Sequence, residues 1–159
     1  MLAIYAGTFD PITYGHLDVL RQALNIFTRV EVSIGVNSTK QTLFSLDKRM
    51  SLIEEATSDL QGISVGHFEG LLIDYAKKQE AVALIRGIRQ VTDFDYELRM
   101  TVANRRLAPE IQTVHFMPSE DQLVTSSSIV REIHRFHGDV SSFVPPCVQQ
   151  ALAELRNQH

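Results

Sequence analysis

The chain has a single cysteine, Cys147, in 159 residues. It therefore has neither an internal disulfide framework nor a thiolate-based zinc site. No apolar stretch approaches the roughly 20 residues of a membrane-spanning helix, so no membrane partner is expected. No cationic leader precedes the first apolar run, and that run is too short for a signal peptide; the cytoplasm is the expected compartment. Positive charge is not in excess either. Fifteen Lys and Arg against nineteen Asp and Glu give a formal charge of −4, which argues against a general nucleic-acid binder, because such a protein needs a basic face. A small anionic ligand remains open, since a few local cations suffice for it. Repeats, low-complexity tracts and linkers are missing too. Pro145-Pro146 marks a turn before a terminal helix. With 44% hydrophobic and 21% charged residues, the expectation is one domain, 1–159, with a substantial core.

What the chain does have is alternation. Apolar, β-rich runs at 2–6, 30–36, 63–65, 82–85 and 111–116 read as strands. Helical spacing predicts helices over 15–27, 46–58, 71–79, 93–107, 127–137 and 146–156. Ser45 suits an N-cap and Pro146 a first helical turn. Such alternation predicts an α/β fold, a doubly wound five-stranded parallel sheet with helices on both faces. Ligands of such sheets bind beyond the C-terminal strand ends. Thr8 and His16 follow the first strand, Lys40 the second, Arg86 and Arg89 the fourth. The run Thr125-Ser126-Ser127-Ser128 follows the fifth and opens a helix. Cations and hydroxyls thus gather at one sheet edge in an acidic protein, where helix starts attract anions. Phosphate chemistry is the expectation.

The segment from Gly7 to His16 says most. Asp-Pro and Gly form turns, and His16 could cap a helix; but an imidazolium at a helix N-terminus is disfavoured, so capping alone offers no benefit. Function is favoured for Thr8 and His16, structure for Phe9, Pro11 and Gly15, and both remain open for Asp10. Gly7-Thr8-Phe9-Asp10-Pro11 with Thr13-Tyr14-Gly15-His16 resembles the opening of nucleotidyltransferases that carry a (T/H)xGH motif. Ile85-Arg86-Gly87-Ile88-Arg89 with Asp93-Phe94-Asp95-Tyr96-Glu97, and Ser126-Ser127-Ser128-Ile129-Val130-Arg131, narrow the match. Together they resemble the bacterial pantetheine-phosphate adenylyltransferases, over nearly the whole chain.

The resemblance implies a Rossmann-like fold and adenylyl transfer from ATP to 4′-phosphopantetheine, giving dephospho-CoA and pyrophosphate. It implies that Thr8 contacts nucleotide and acceptor phosphate, Phe9 lies beside the nucleotide, and His16 stabilises the transition state at the α-phosphate. Lys40, Leu72 and Arg86 would line the acceptor site. Gly87, Ile88, Arg89, Glu97 and the stretch Gln122, Leu123, Val124, Thr125, Ser126, Ser127 and Ser128 would form the ATP site. A homohexamer and inhibition by coenzyme A are implied as well. Relatives commonly have Pro at Ala6, Asn at Tyr14 and an apolar residue at Thr125; Tyr14 is expected to alter the rim of the site.

The residues agree with this chemistry. An acceptor phosphate oxygen is already anionic, so no general base and no Ser-His-Asp or Cys-His set is needed. The task is to align two polyanions and spread the developing charge. Magnesium is expected to ride on ATP, with no protein metal cage. Glu97 and Asn104 share one helical stripe with Met100 and Thr101. The stripe is either solvated or aimed at substrate; the resemblance favours function for Glu97 and leaves Asn104, facing the acceptor, undecided. The serines could simply cap a helix, but beside the other motifs they read as a cradle for the β- and γ-phosphates. Arg105-Arg106 read as a surface or subunit contact. His134 and His137, one turn apart, lack a third zinc ligand; His67, His115 and Cys147 have no partners that sequence reveals. The rivals are a related transferase using glycerol phosphate, ethanolamine phosphate or nicotinate mononucleotide, and a non-catalytic nucleotide sensor that would need neither His16 nor a cationic acceptor site.

Overall fold

A computed structural model describes residues 1–37, 39 and 41–157, with Val91 and Thr92 described by backbone alone. Five strands, β1 (Leu2–Gly7), β2 (Arg29–Gly35), β3 (Ile63–Phe68), β4 (Ala83–Gly87) and β5 (Gln112–Phe116), alternate with six α-helices. These are α1 (Tyr14–Leu24), α2 (Leu46–Ala56), α3 (Leu72–Lys78), α4 (Val91–Leu107), α5 (Ser127–Arg135) and α6 (Pro146–Arg156); a short 3₁₀ turn, Glu120–Gln122, follows β5. All strand pairs are parallel, in the order β3-β2-β1-β4-β5. The chain winds outward from β1 to β3, then returns to lay β4 against the other side of β1. The strand order reverses between β1 and β4, which is where an open parallel sheet leaves a crevice for a ligand.

Alternation along the strands sorts the core. Ala3 and Tyr5 of β1 and Ile85 of β4 pack with Leu20 of α1, Ile53 of α2, Val130 of α5 and Leu152 of α6. Ile4, Ala6 and Leu84 turn to the opposite face, against Ile73 and Ala76 of α3 and against Ala108 and Ile111 beyond α4. The α/β expectation therefore holds.

Ser45 and Pro146 stand at helix starts as expected. Several boundaries move, each for a physical reason. β3 continues to Phe68 because its pairing with β2 carries on through Gly66↔Ser33 and Phe68↔Gly35. A Cβ on Gly66 would sit 2.9 Å from Glu31 Oε1, which accepts 2.6 Å bonds from the Ser33 and Tyr75 hydroxyls. α4 starts two residues early because Gln90 and Asp93 form a reciprocal cap. α5 ends at Arg135, so His137 (φ 59) lies beyond the helix, its N–H closing a final turn on the His134 carbonyl at 3.0 Å.

Candidate active site

A cleft of about 360 Å³ opens at the β1–β4 switch, its wall including Gly7, His16, Arg86, Gly87, Arg89 and Thr125. A second cavity, of about 380 Å³, opens between α3 and α4, with Leu72, Met100, Asn104 and Leu107 in its wall. Arg86, Tyr96 and Glu97 belong to both. The cleft thus brings together residues as far apart in the chain as Gly7 and Thr125, while Thr8 is not among those that line it.

His16 is built into the start of α1. Thr13 is the N-cap; its N–H donates to His16 Nδ1 at 3.1 Å, its hydroxyl lies 3.0 Å from the same nitrogen, and the His16 N–H reaches Thr13 Oγ1 at 3.4 Å. A ring nitrogen that accepts from an amide carries no proton, so the neutral imidazole holds its proton on Nε2. Burial, and secondarily the Arg89 charge, lower the pKa from 6.5 to about 4. At neutral pH His16 is an uncharged N–H donor. That corrects the reading of capping as profitless: the dipole penalises imidazolium, not imidazole, and His16 caps the helix while forming a wall of the cleft. Phe9 stands edge-on to the imidazole at 5.0 Å, with Tyr5 at 5.3 Å from Phe9. Phe9 is buried at φ 46, an uncommon conformation for a non-glycine residue. Its side chain backs His16, which leaves only its main chain to meet a nucleotide.

The turn at 8–11 is tied from three directions. Arg49 Nη1 of α2 donates to the Thr8 carbonyl at 2.8 Å. From α5, Arg131 Nη1 donates to the Asp10 carbonyl at 2.7 Å and the Ser127 hydroxyl to the Pro11 carbonyl at 2.8 Å. Asp10, 2% exposed, accepts from the amides of Leu43 and Phe44 at 2.7 and 2.9 Å. The question left open for Asp10 resolves toward structure: its carboxylate fastens the segment after position 40 to the first motif. Lys40 lies outside the described residues. Sequence reasoning missed Arg49, a buried cation in a helix whose charged neighbours face water; no spacing distinguished it.

The serines turn out to hold the helix start. Ser126 caps α5 through a 3.2 Å bond from the Ile129 amide, Ser127 is given to Pro11, and Ser128 Oγ receives Arg131 Nη2 at 3.4 Å. The first-turn amides of Ser127 and Ser128 have no acceptor inside the helix and are what an anion could use. Thr125 is buried, and its carbonyl oxygen would lie 2.9 Å from a Cβ on Gly15, so α1 and the 122–125 loop meet through bare backbone. Leu123 and Val124 are exposed, and Gln122 Oε1 is buried without a partner among the described residues. Ile88 and Leu123, with Phe94 and Met117, flank an apolar pocket that shares Arg89 with the cleft. Tyr14 packs toward the core and lines neither cavity, contrary to the expectation that it alters the rim.

On the opposite wall Arg86 lies within β4, not beyond it. Its Nε and Nη2 donate to Glu97 Oε2 and Oε1 at 2.8 and 2.6 Å, and Nη1 reaches the Ala6 carbonyl at 3.3 Å. Burial works against the Arg86 charge, but the Glu97 hydrogen bonds and charge outweigh it and raise the guanidinium pKa. His115, to which the sequence assigned no partner, has Nε2 3.4 Å from Thr101 Oγ1 and 3.9 Å from Glu97 Oε2.

A parallel sheet whose switch-point cleft sets a neutral histidine donor opposite arginines, beside the start of a helix, is the arrangement of a nucleotidyltransferase. Residues 4–133 match the cytidylyltransferase-like family. The fold is shared with a Vibrio parahaemolyticus protein provisionally described as a nicotinate-nucleotide adenylyltransferase (TM-score 0.74, 16% identity, 96% of this chain and 97% of that one). Relatives named phosphopantetheine adenylyltransferase are much nearer in sequence. The one from Moorella thermoacetica is 45% identical over 95% of this chain and 94% of its own; that from Desulfosudis oleivorans is 46% identical over 96% and 91%. A third, from Caldanaerobacter subterraneus subsp. tengcongensis, is 43% identical over 96% of each. The chain belongs to the phosphopantetheine adenylyltransferase family.

Proposed function

We propose that the chain transfers an adenylyl group reversibly from ATP to 4′-phosphopantetheine, forming dephospho-CoA and pyrophosphate in coenzyme A biosynthesis, and does so as one domain. The observation that carries this is the pairing of cavities: a polar cleft walled by His16, Arg86 and Arg89, joined at Arg86 and Glu97 to an apolar one walled by Leu72, Met100 and Asn104. The first suits triphosphate and nucleotide, the second an uncharged pantetheine arm, and their junction suits the meeting of the two phosphates.

An oxygen of the acceptor phosphate attacks the α-phosphorus while the bond to the bridging α–β oxygen breaks, and pyrophosphate leaves with that electron pair. No proton need be removed from the nucleophile. His16 Nε2–H donates to the α-phosphate oxygen on which charge develops; Arg86, and by family resemblance Lys40 and Thr8, hold the acceptor phosphate. Arg89, the main chain at Gly87 and Ile88, and the start of α5 serve ATP. A hydrogen bond to charge that exists only in the transition state raises kcat more than it tightens substrate binding.

Magnesium fits as an ion carried on the triphosphate. The carboxylates in the cleft wall are committed, Glu97 to Arg86 and Asp93 to the amides of Arg89 and Gln90. No group of three potential metal-binding side chains occurs among the described residues. Bound to ATP, the ion would neutralise charge on the leaving phosphates.

The homohexamer rests on family resemblance; α4, which exposes Phe94, Leu98 and Val102 at helical spacing, offers a face for a subunit contact. Feedback inhibition by coenzyme A, which carries the product's pantetheine arm and adenylyl group, fits the same two cavities. No helix among the described residues is long and apolar enough to cross a membrane, and a cytoplasmic place accords with ATP as substrate. The deciding experiment offers ATP and magnesium with 4′-phosphopantetheine, nicotinate mononucleotide, glycerol phosphate and ethanolamine phosphate in turn. Dephospho-CoA formation with the first alone is expected; turnover with another acceptor, or ATP binding without turnover on any, overturns the proposal.

A further inference from the structure

Arg49 is a buried charge that the mechanism does not use. It stands on α2 and is 6% exposed. Buried charges are as a rule paired, because an uncompensated one keeps its desolvation cost. Yet among the described residues no carboxylate lies within ion-pair distance of Arg49; the ion pairs belong to Arg86, Arg99 and His115. Its Nη1 donates to the Thr8 carbonyl at 2.8 Å, and its buried Nε has no partner. That carbonyl directly follows Gly7, which lines the cleft, and opens the turn implied to meet the phosphates.

The peptide group carries the effect of the charge further. Thr8–Phe9 is a trans peptide, so its N–H points opposite to its carbonyl and away from Arg49. The Phe9 N–H has no acceptor among the described residues. A guanidinium on the carbonyl oxygen polarises the amide, which makes that N–H a stronger donor to an anion. Arg131 offers a contrast. It holds the Asp10 carbonyl, but the next residue is Pro11, which has no N–H to polarise.

We infer that Arg49 is a positioning residue for the substrate phosphates, acting through the Thr8–Phe9 peptide, and that those phosphates supply the counter-charge the protein withholds. This rests on the reading that the first turn serves nucleotide and acceptor phosphate. Without substrate the unpaired guanidinium is a standing cost to the fold. With substrate bound, the low-dielectric interior lets its attraction reach the phosphates without direct contact.

The test sets Arg49→Met, neutral and of similar length, beside Arg49→Lys, which keeps the charge. For methionine, magnesium-ATP binding by calorimetry is expected to weaken about tenfold and kcat to fall about tenfold to 10²-fold. The ATP-free variant should melt close to wild type, since losing an uncompensated buried charge offsets losing one hydrogen bond. Lysine should recover most of both losses. In wild type the Phe9 amide proton should move downfield when magnesium-ATP is added, and by less in the methionine variant. Arg49→Gln, neutral but still able to donate, should match methionine in ATP affinity and serves if methionine does not fold. A merely structural role predicts the reverse pattern, a lower melting temperature without ligand and unchanged ATP affinity in the folded chain, and that result overturns the inference. So does a lysine variant that binds ATP as poorly as methionine. A wild-type enzyme that works on a different phosphate acceptor would defeat the proposed substrate but not this inference, which ATP binding reads by itself.

Discussion

The two walls of the cleft are held by different physics. At the β1–α1 wall the reactive group is uncharged, and it is fixed by hydrogen bonds to backbone: Thr13 to His16, Arg49 to the Thr8 carbonyl, Arg131 to the Asp10 carbonyl. At the β4–α4 wall the reactive group is a cation, and it is fixed by a counter-charge, Glu97, on a helix whose outer face is largely exposed. A donor that must meet charge formed only in the transition state profits from a rigid mount, since reorganisation at that moment costs rate. A cation that captures an incoming dianion profits from a counter-ion that keeps its burial tolerable until the substrate arrives. The first wall should therefore govern kcat, and the second acceptor binding.

The sharpest way to break this contrast is to separate the two nitrogens of His16. His16→Ala removes both and is expected to cut kcat on the order of 10²–10³-fold with a modest change in KM. His16→Asn retains an acceptor near Nδ1 and loses the distal donor; it should match alanine in kcat while melting close to wild type. His16→Gln retains a distal N–H and should recover part of kcat. Steady-state kinetics beside thermal unfolding decide it, and near-normal kcat in the alanine or asparagine variant would end the transition-state role.

Next in size is Asp10→Asn, which sets an NH₂ against an amide donor in a buried place. A buried donor left unpaired costs roughly 1–3 kcal/mol, and denaturant unfolding should show a loss in that range. Leu43 and Phe44 amides should then exchange faster with solvent while the β1 and β2 amides stay protected. Unchanged exchange at the two loop amides would mean that Asp10 does not fasten the segment.

Much of this contrast was legible in the sequence, and what was not has a common cause. Alternating apolar runs gave the sheet and its helices, because strand and helix periods are local properties. The cationic C-terminal edge followed from placing Thr8, His16, Arg86 and Arg89 relative to those runs. Partnerships were invisible. Arg49 under Thr8, His115 behind Glu97, and His134 Nδ1 receiving Arg156 Nε at 3.3 Å all join residues far apart in the chain. Composition and spacing carry no information on such pairs. The misreading of His16 had a different origin: the dipole argument assumed a charged ring, and burial makes the ring neutral. For Ser126 the opposite happened, since the capping role set aside in the sequence is the one its hydroxyl fills, while the Ser127 hydroxyl goes to the Pro11 carbonyl and the amides are left for phosphate.

The neutral ring also carries a pH dependence with a definite sign. His16 is held at about 4 in the fold against 6.5 as its ordinary value. Above about pH 6.5 it is neutral folded or unfolded and contributes no slope. As pH falls from 6.5 toward 4, the unfolded chain takes up a proton that the folded chain refuses, so stability is lost across that window. Melting temperature against pH should fall less steeply there for His16→Asn than for wild type. Activity should show no limb near pH 6.5 that disappears with His16, since a charged imidazole would have to take its second proton on Nδ1, facing the Thr13 N–H.

The smallest energetic effect is expected on the outer face of α4, where Leu98 is 48% exposed and the helix beneath it contributes little to the core. Leu98→Glu removes no buried apolar contact within the chain, so the stability of the isolated fold should shift by no more than about 0.5 kcal/mol. If this stripe meets a second copy, however, the new carboxylate becomes a charge buried without a partner, and the assembly should come apart. Light scattering coupled to size exclusion would then give a smaller mass for a chain that still melts near the wild-type temperature. An unchanged mass would move the subunit contact elsewhere. Because Leu98 neighbours Glu97 on the same helix but points away from both cavities, the same variant also asks whether the charge-held wall needs a partner subunit: a dissociated protein with weakened acceptor binding and normal ATP binding would show that the Arg86–Glu97 pair is oriented by assembly, whereas the His16 wall is complete within one chain.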